Sequence, residues 1–405
     1  MNKQTLTLGP ECADATGDAH LAIQSAVDYL SYIGGGTLTL QEGVYELGTT
    51  LHLRSNIRLE GIPGRTILRK ADEIVSPLAA DADLHERRVT VAHPEKFRIG
   101  QTVTVRKAAA SMDFGDTVAT IVGTEGNVLY LDRDMFATVF MAQEGIVTTN
   151  CSVISGYDCE NVSIRHLTID GNKANNAVTN GCRNAGIFLF NARRSVIADC
   201  TVRDYNGDGI SYQGGEDIEV VRCVCRDNGG KGVHPGSGTK RTRILECRFV
   251  GNGLDGIFLC WRVQDGLVEG CVSERNAQSG LSIGHKDTNN VIRGNRFADN
   301  GYYGIFFRNE PDPMGANDNK IENNVITDNG SETMGYVGIR IRGFTRNAEL
   351  TGNRIEFVKL PPDRTIGICL EEHVGPVRME NNTFVGCRKE THSHWMIETE
   401  ANLAE

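Results

Sequence analysis

The chain of 405 residues contains no apolar run near the ~18 residues that a membrane-spanning helix needs. Its start, Met1-Asn2-Lys3-Gln4-Thr5, leads into no apolar stretch or cleavage site, so no secretory signal is visible. A cytoplasmic location is therefore expected, or a secreted one if the N-terminus is a processed or re-engineered start. A basic tail is missing too, and a net charge of −10 makes nucleic acid a poor partner. Proline is scarce at 10 residues. Wholesale disorder is excluded, because 40% apolar residues can build a large core and only 23% are charged. What is abundant is glycine: 46 residues, about 11% against roughly 7% in ordinary globular proteins. That is too much for a helical protein and too scattered for a linker.

A repeat accounts for the glycine. Cys200, Cys223, Cys247, Cys271, Asn295, Asn324, Asn353 and Asn382 recur at spacings of 23, 24, 24, 24, 29, 29 and 29. A second register runs through Gly186, Gly209, Gly232, Gly256, Gly280, Gly304, Gly338 and Gly367. Between the two lie Asn228, Asn252, Asn276, Asn300 and Asn329, for which a backbone with positive φ is expected. Apolar residues alternate with period two, as in Gly256-Ile257-Phe258-Leu259-Cys260, which is strand patterning. A unit of 23–24 residues holds about three short strands and no helix. It reads as one coil of a parallel β-helix, stacked at about 4.8 Å on its neighbours.

The N-terminal part suits the same plan. Asp18 is a candidate N-cap, and Ala22, Ile23, Ala26, Val27, Leu30 and Ile33 form a helical apolar stripe that can cover the first coil. The phrases Ala22-Ile23-Gln24-Ser25-Ala26-Val27, Gly34-Gly35-Gly36-Thr37-Leu38, Gly43-Val44-Tyr45, Leu53-Arg54-Ser55-Asn56-Ile57-Arg58-Leu59-Glu60-Gly61 and Asn161-Val162-Ser163-Ile164-Arg165-His166-Leu167-Thr168-Ile169-Asp170-Gly171 resemble those of pectate-lyase-like right-handed β-helix proteins. The resemblance implies an all-β, right-handed parallel β-helix with an N-terminal capping helix. Residues 74–150 break the rhythm and read as a small β insertion, with strands at Val89–Val91, Thr102–Val105, Thr117–Ile121 and Val128–Leu131. The expected organisation is 1–73 cap and first coils, 74–150 insertion, 151–385 solenoid bearing the site, and 386–405 C-terminal cap or tail.

Alternation sends the residues two and four after each glycine of the second register outward. The resulting columns and the turns after them collect His234, Trp261, Arg262, His285, Lys286, Arg308, Glu310, Arg340, Arg342, Glu371, Glu372 and His373 on one face of an acidic chain. The lengthened units add Pro311–Asn317, Ser331–Val337 and Leu360–Ile366, turns that flank the same face. The implied substrate is an acidic polysaccharide or oligosaccharide. For β-elimination, Arg308 and Arg342 would hold a uronate, with Lys286 or His285 as base; a uronate epimerase would use much the same set. For hydrolysis, Glu310 and Glu371 lie two coils apart, about 9–10 Å of rise, near the upper end of the ~6.5–9.5 Å of inverting enzymes. A non-catalytic glycan-binding solenoid would use Trp261 and nearby Phe as platforms, with His234, Trp261, Arg262, Arg340, Arg342, Glu372 and His373 as binding residues. The plainest reading is a solvated face with weak cross-strand pairs.

Catalytic phrases of the resembled families are absent. Asn-Thr-Asp, Gly-His-Gly and Arg-x-Lys of polygalacturonase-type hydrolases are not found, and Asp312-Pro313-Met314 and Val233-His234-Pro235 only graze the Asp-Pro-His of alginate epimerases. Closely spaced outward Asp residues of a calcium site are missing, so no cofactor is expected, calcium being left open. Cys223 and Cys225 point inward with the other ladder cysteines, where Cys packs as a small hydrophobe, and the spacing of a zinc site is lacking. Neither a nucleic acid nor a membrane is an expected partner; a homotrimer is left open.

Overall fold

The computed structural model describes residues 4–9, 19–109 and 115–393. The fold is a right-handed parallel β-helix in which coil after coil gives one short strand to each of three parallel sheets. The chain falls into two compact units: one runs to Phe190 and includes Cys200–Ser211, the other comprises Asn191–Asp199 and the chain from Tyr212 on.

In the first unit, sheet one holds Gln4–Leu8, Gly36–Leu40, Ile57–Glu60 and Ser163–Arg165. Sheet two holds Gly43–Leu47, Thr66–Lys70, Thr168–Asp170 and Thr201–Arg203, and sheet three Leu51–Leu53, Ile154–Tyr157 and Ala185–Phe190. Like residues stack in register, as Leu38 on Leu59 and Leu51 on Ile154, so each coil buries its apolar residues against the next. The strand Gln4–Leu8, which no periodicity announced, pairs with Gly36–Leu40.

One helix, Ala19–Tyr32, packs on these coils and buries Ile23, Ala26, Val27 and Leu30. Ile33 was expected in that stripe, but it lies beyond the helix in a turn and is exposed. Asp18, the expected N-cap, lies outside the described residues. The helix ends at Gly34 and Gly35, both at positive φ; a Cβ on Gly35 would stand 2.5 Å from the Asn56 carbonyl oxygen.

The insertion leaves sheet two after Lys70 and returns to sheet three at Ile154. It is a six-stranded antiparallel sheet in the order Val75–Pro77, Gly145–Thr148, Thr102–Lys107, Thr117–Glu125, Val128–Leu131, Arg88–Thr90. Val103, Val105, Ile121, Leu129 and Val147 give it a core of its own. Buried polar bonds fix its root: the Glu73 carboxylate accepts from the Thr148 hydroxyl (2.5 Å) and the Ala177 N–H (2.6 Å), and Lys70 Nζ donates to the Thr149 carbonyl (3.1 Å). Burial pushes the Lys70 ammonium below its usual range.

In the second unit sheet one runs from Arg193–Ala198 to Val377–Glu380, and sheet two from Val224–Arg226 to Thr383–Val385. Sheet three contains Val233–Gly236, Ile257–Phe258, Leu281–Ile283, Tyr303–Phe307, Tyr336–Ile341, Thr365–Leu370 and Lys389–Ser393. Each repeated residue has a physical reason here. Added Cβ atoms on Gly232, Gly256, Gly280, Gly304 and Gly338 would stand 2.5–3.0 Å from the carbonyl oxygen of the corresponding glycine one coil on, so close approach, not positive φ, demands glycine. The turn asparagines do not adopt positive φ as expected. That conformation falls one residue earlier, at Asp227, Gly251, Arg275, Asp299 and Asp328.

The asparagines instead form a buried hydrogen-bond ladder. Asn252 Nδ2 donates to Asn276 Oδ1 (2.9 Å), and Asn276 Nδ2 to Asn300 Oδ1 (3.0 Å) and to the Phe249 carbonyl (3.1 Å). A side chain that satisfies two coils at once must be repeated in each, because an unmatched buried donor is costly. The Cys-to-Asn column works likewise: Cys247 N–H donates to Cys271 Sγ, Cys271 N–H to Asn295 Oδ1, and Asn295 to Asn324. The cysteines described are free thiols, and burial pushes Cys225 and Cys247 well above the usual thiol range.

Candidate functional site

The outer face of sheet three in the second unit carries the candidate residues. Parallel register places Phe258 beside Ser282, Ser282 beside Phe306, Phe306 beside Arg340, and Arg340 beside Cys369. Two clusters form on it.

The first is organised by Arg308. Its guanidinium lies 4.4 Å from the Phe258 ring centre, donates to Ser282 Oγ (3.0 Å), the Leu259 carbonyl (2.8 Å) and Asp287 Oδ2 (3.2 Å), and stands 3.8 Å from Glu310 Oε1. Gly284 makes room for it: a Cβ there would come within 2.6 Å of Nε. Lys231 brings a second cation to Phe258 (4.7 Å), and the buried His234 meets the same ring edge-on at 5.2 Å. Asp287 is fully buried and accepts from the Val263 and Gly284 N–H groups as well as from Arg308. Burial pushes its carboxyl up to about 6, against the pull of Arg308.

Beside Arg308, the His285 Nδ1 and Glu310 Oε2 are 3.2 Å apart, both partly buried, and Trp261 stacks on the imidazole at 4.9 Å. Nδ1–H donates to the carboxylate, which leaves Nε2 as the nitrogen able to take a proton. Trp261 and Arg262 both adopt positive φ, 62° and 66°. The same turn one coil earlier also has two residues in succession at positive φ, Ser237 and Gly238, so the conformation belongs to the stacked turns. The Arg262 N–H donates to the His285 carbonyl (2.8 Å), tying that turn to the imidazole. Lys286 lies in the following turn, also at positive φ, with its N–H on the Met314 carbonyl (2.9 Å).

The second cluster is Arg340, Arg342 and Glu371. Arg342 Nε lies 2.7 Å from Glu371 Oε2, Arg340 grips Oε1, and Arg340 Nη1 donates to the Tyr303 hydroxyl (2.5 Å). Both carboxylate oxygens of Glu371 are thereby occupied. His373 stacks on Phe344 (4.9 Å) and faces Glu372 (3.8 Å), in an exposed turn outside both clusters.

Sequence reasoning missed Asp287 and Lys231. Asp287 stands one turn position past the residues taken as outward, and Lys231 precedes the glycine that set the register; only the folded turns bring Asp287 to Arg308 and Lys231 to Phe258. Among the described residues no group of three His, Cys, Asp or Glu side chains is arranged to hold a metal ion.

Solved structures of similar fold include the mannuronan C-5 epimerase AlgE6 A-module of Azotobacter vinelandii, 17% identical, with 95% of each chain covered and a TM-score of 0.58. The polygalacturonase from Erwinia carotovora ssp. carotovora is 12% identical over 96% of this chain and 94% of that one, with a TM-score of 0.57. An exopolygalacturonase from Thermotoga maritima is 17% identical over 95% and 94%, at 0.51. No curated protein sequence matches the chain. The family described as the right-handed β-helix region matches residues 136–264 and 260–395, well over half of the sequence, so the chain belongs to that family.

Proposed function

We propose that the protein acts on an acidic, uronate-containing polysaccharide or oligosaccharide by β-elimination, with His285 as the base. The observation that carries this reading is the His285–Glu310 pair, stacked under Trp261 and set beside Arg308. An imidazole held by a carboxylate through Nδ1 presents Nε2 for proton abstraction. His285 Nε2 takes the proton on the carbon next to the uronate carboxylate, its electron pair forms the ring double bond, and the glycosidic oxygen leaves, taking a proton from Lys286. Arg262 and Arg308 supply positive charge where the carboxylate accumulates electrons. Trp261 offers a face to a sugar ring.

Three proteins of like fold are a mannuronan C-5 epimerase module and two polygalacturonases, which agrees with a glycan as the class of substrate. Elimination is preferred to hydrolysis by a Glu310–Glu371 pair because Glu371 is ion-paired with Arg340 and Arg342 while Glu310 is paired with His285, so an imidazole rather than a second carboxyl group stands ready to move a proton. The test is incubation with a panel of uronate-containing glycans, following the ultraviolet absorbance of the unsaturated product. Absorbance that grows with time supports the reading. New reducing ends without absorbance would point to hydrolysis, and neither signal across the panel would leave a binding protein.

A further inference from the structure

The first unit presents the same outer face of sheet three, but the insertion roofs it. Two clefts result, of about 250 and about 340 Å³, which share Asp132, Arg133 and Tyr157. In the first, Phe136 and Val118 of the insertion face Tyr157, Phe188 and Phe190 of the solenoid, with Asp116, Asp158 and Arg183 among them. The aromatic rings form a connected wall: Tyr157 lies 5.9 Å from Phe188 and 6.1 Å from Phe190. The Arg183 guanidinium lies over the Phe136 ring at 4.3 Å and that of Arg133 over Tyr157 at 4.7 Å. Burial pushes the Tyr157 phenol up to about 12.

These features narrow the ligand. Phe136 is 56% exposed and lines the cleft together with Tyr157, Phe188 and Phe190, so its ring adds an accessible apolar edge to an aromatic wall. Aromatic faces beside mixed donors and acceptors suit an amphipathic ring, whose C–H face stacks while its hydroxyls bond to carboxylates and guanidiniums. Among the described lining residues three carboxylates, Asp116, Asp132 and Asp158, outnumber the two guanidiniums of Arg133 and Arg183, which disfavours an anion. At about 250 Å³ it falls just below the ~300–1,000 Å³ of sites for drug-sized ligands, a size for one or two sugar rings.

We infer that the cleft between the insertion and sheet three of the first unit is a separate binding site for a neutral pyranose residue, with Phe136 and Tyr157 as stacking platforms and Arg183 and Asp132 as hydroxyl partners. This site does not depend on the elimination chemistry proposed for the second unit.

The test uses the full chain and saturation-transfer NMR with methyl glucoside, methyl mannoside and methyl galactoside, with free glucuronate and galacturonate as anionic comparators. At least one methyl hexoside is expected to bind with saturable, millimolar affinity, and uronate binding is expected to be insensitive to Phe136→Ala. Phe136→Ala is expected to weaken that binding at least fivefold while the melting curve stays in place, because the ring is exposed. His285→Gln is expected to leave the signal unchanged. The inference falls if no hexoside binds, if Phe136→Ala has no effect on hexoside binding, if Phe136→Ala weakens uronate binding as much, or if His285→Gln abolishes the hexoside signal, since the sugar would then sit on the second unit.

Discussion

Sheet three is built from the same repeat in both units, yet its outer face serves opposite environments. In the first unit the outward Phe188 is 1% exposed, because the insertion covers it, and His52 is held between Ser155 Oγ and Thr102 Oγ1, each at 2.8 Å. Burial, helped by Arg54, pushes that imidazole down to about 4, so it stays neutral. In the second unit lengthened turns replace the roof, and charged residues occupy the same strand positions, with Arg308 and Arg340 tied to buried or partly buried carboxylates. The repeat therefore sets where side chains point, and the segments between strands decide what surrounds them. One unit makes an aromatic cleft, the other an open basic face.

The difference can be broken or sharpened in order of expected effect. Loss of the base comes first: His285→Gln should lower turnover of a uronate glycan by roughly 10²–10⁴-fold, whereas a solvated, non-catalytic face would leave product formation unchanged. Second is the ladder that supports the second unit. Asn276→Ala strips partners from the buried Phe249 carbonyl and Asn252 N–H, and should cost about 3 kcal/mol or more, read as a fall in the denaturant midpoint. An unchanged midpoint would show that the stacked amides are not what holds the coils.

The two units should also answer pH with opposite signs. His52 has an ordinary value of 6.5 and is held at about 4 when folded. The unfolded chain binds the proton first, so this contribution is present above pH 6.5 and is lost as pH falls toward 4. Its size is about 3 kcal/mol. His52→Gln should flatten that acid limb. Asp287 is raised from 3.8 to about 6, so the folded chain keeps a proton that the unfolded one has released. Its contribution is present below 3.8 and lost as pH rises through 6. It is of similar size, the pull of Arg308 being already contained in the value of about 6. Asp287→Asn should remove that slope, and a steeper loss of stability with rising pH in the variant would contradict it.

The sequence made the solenoid legible because stacking forces each coil to repeat the same residue where two coils touch. The glycine and Cys/Asn columns are such contacts, and period-two alternation correctly places Phe258, Ser282, Arg308 and Arg340 outward. Contacts made through turns left no such trace. Asp287 beneath Arg308, Lys231 against Phe258 and the pairing of His285 with Glu310 depend on how each turn folds back, which no spacing encodes. The insertion has strand patterning of its own, but nothing in its residues announces that Phe136 would face Tyr157. The positive φ expected at the turn asparagines illustrates the same limit: the residue type was right for a turn, but its role is a hydrogen bond to the next coil.

The most direct measurement follows unsaturated product by ultraviolet absorbance on a panel of uronate glycans, for the native chain, His285→Gln and Glu310→Gln side by side. The account predicts time-dependent absorbance from the native chain, nearly abolished in His285→Gln and reduced in Glu310→Gln. Undiminished absorbance in His285→Gln, or none from the native chain on any glycan, would contradict it.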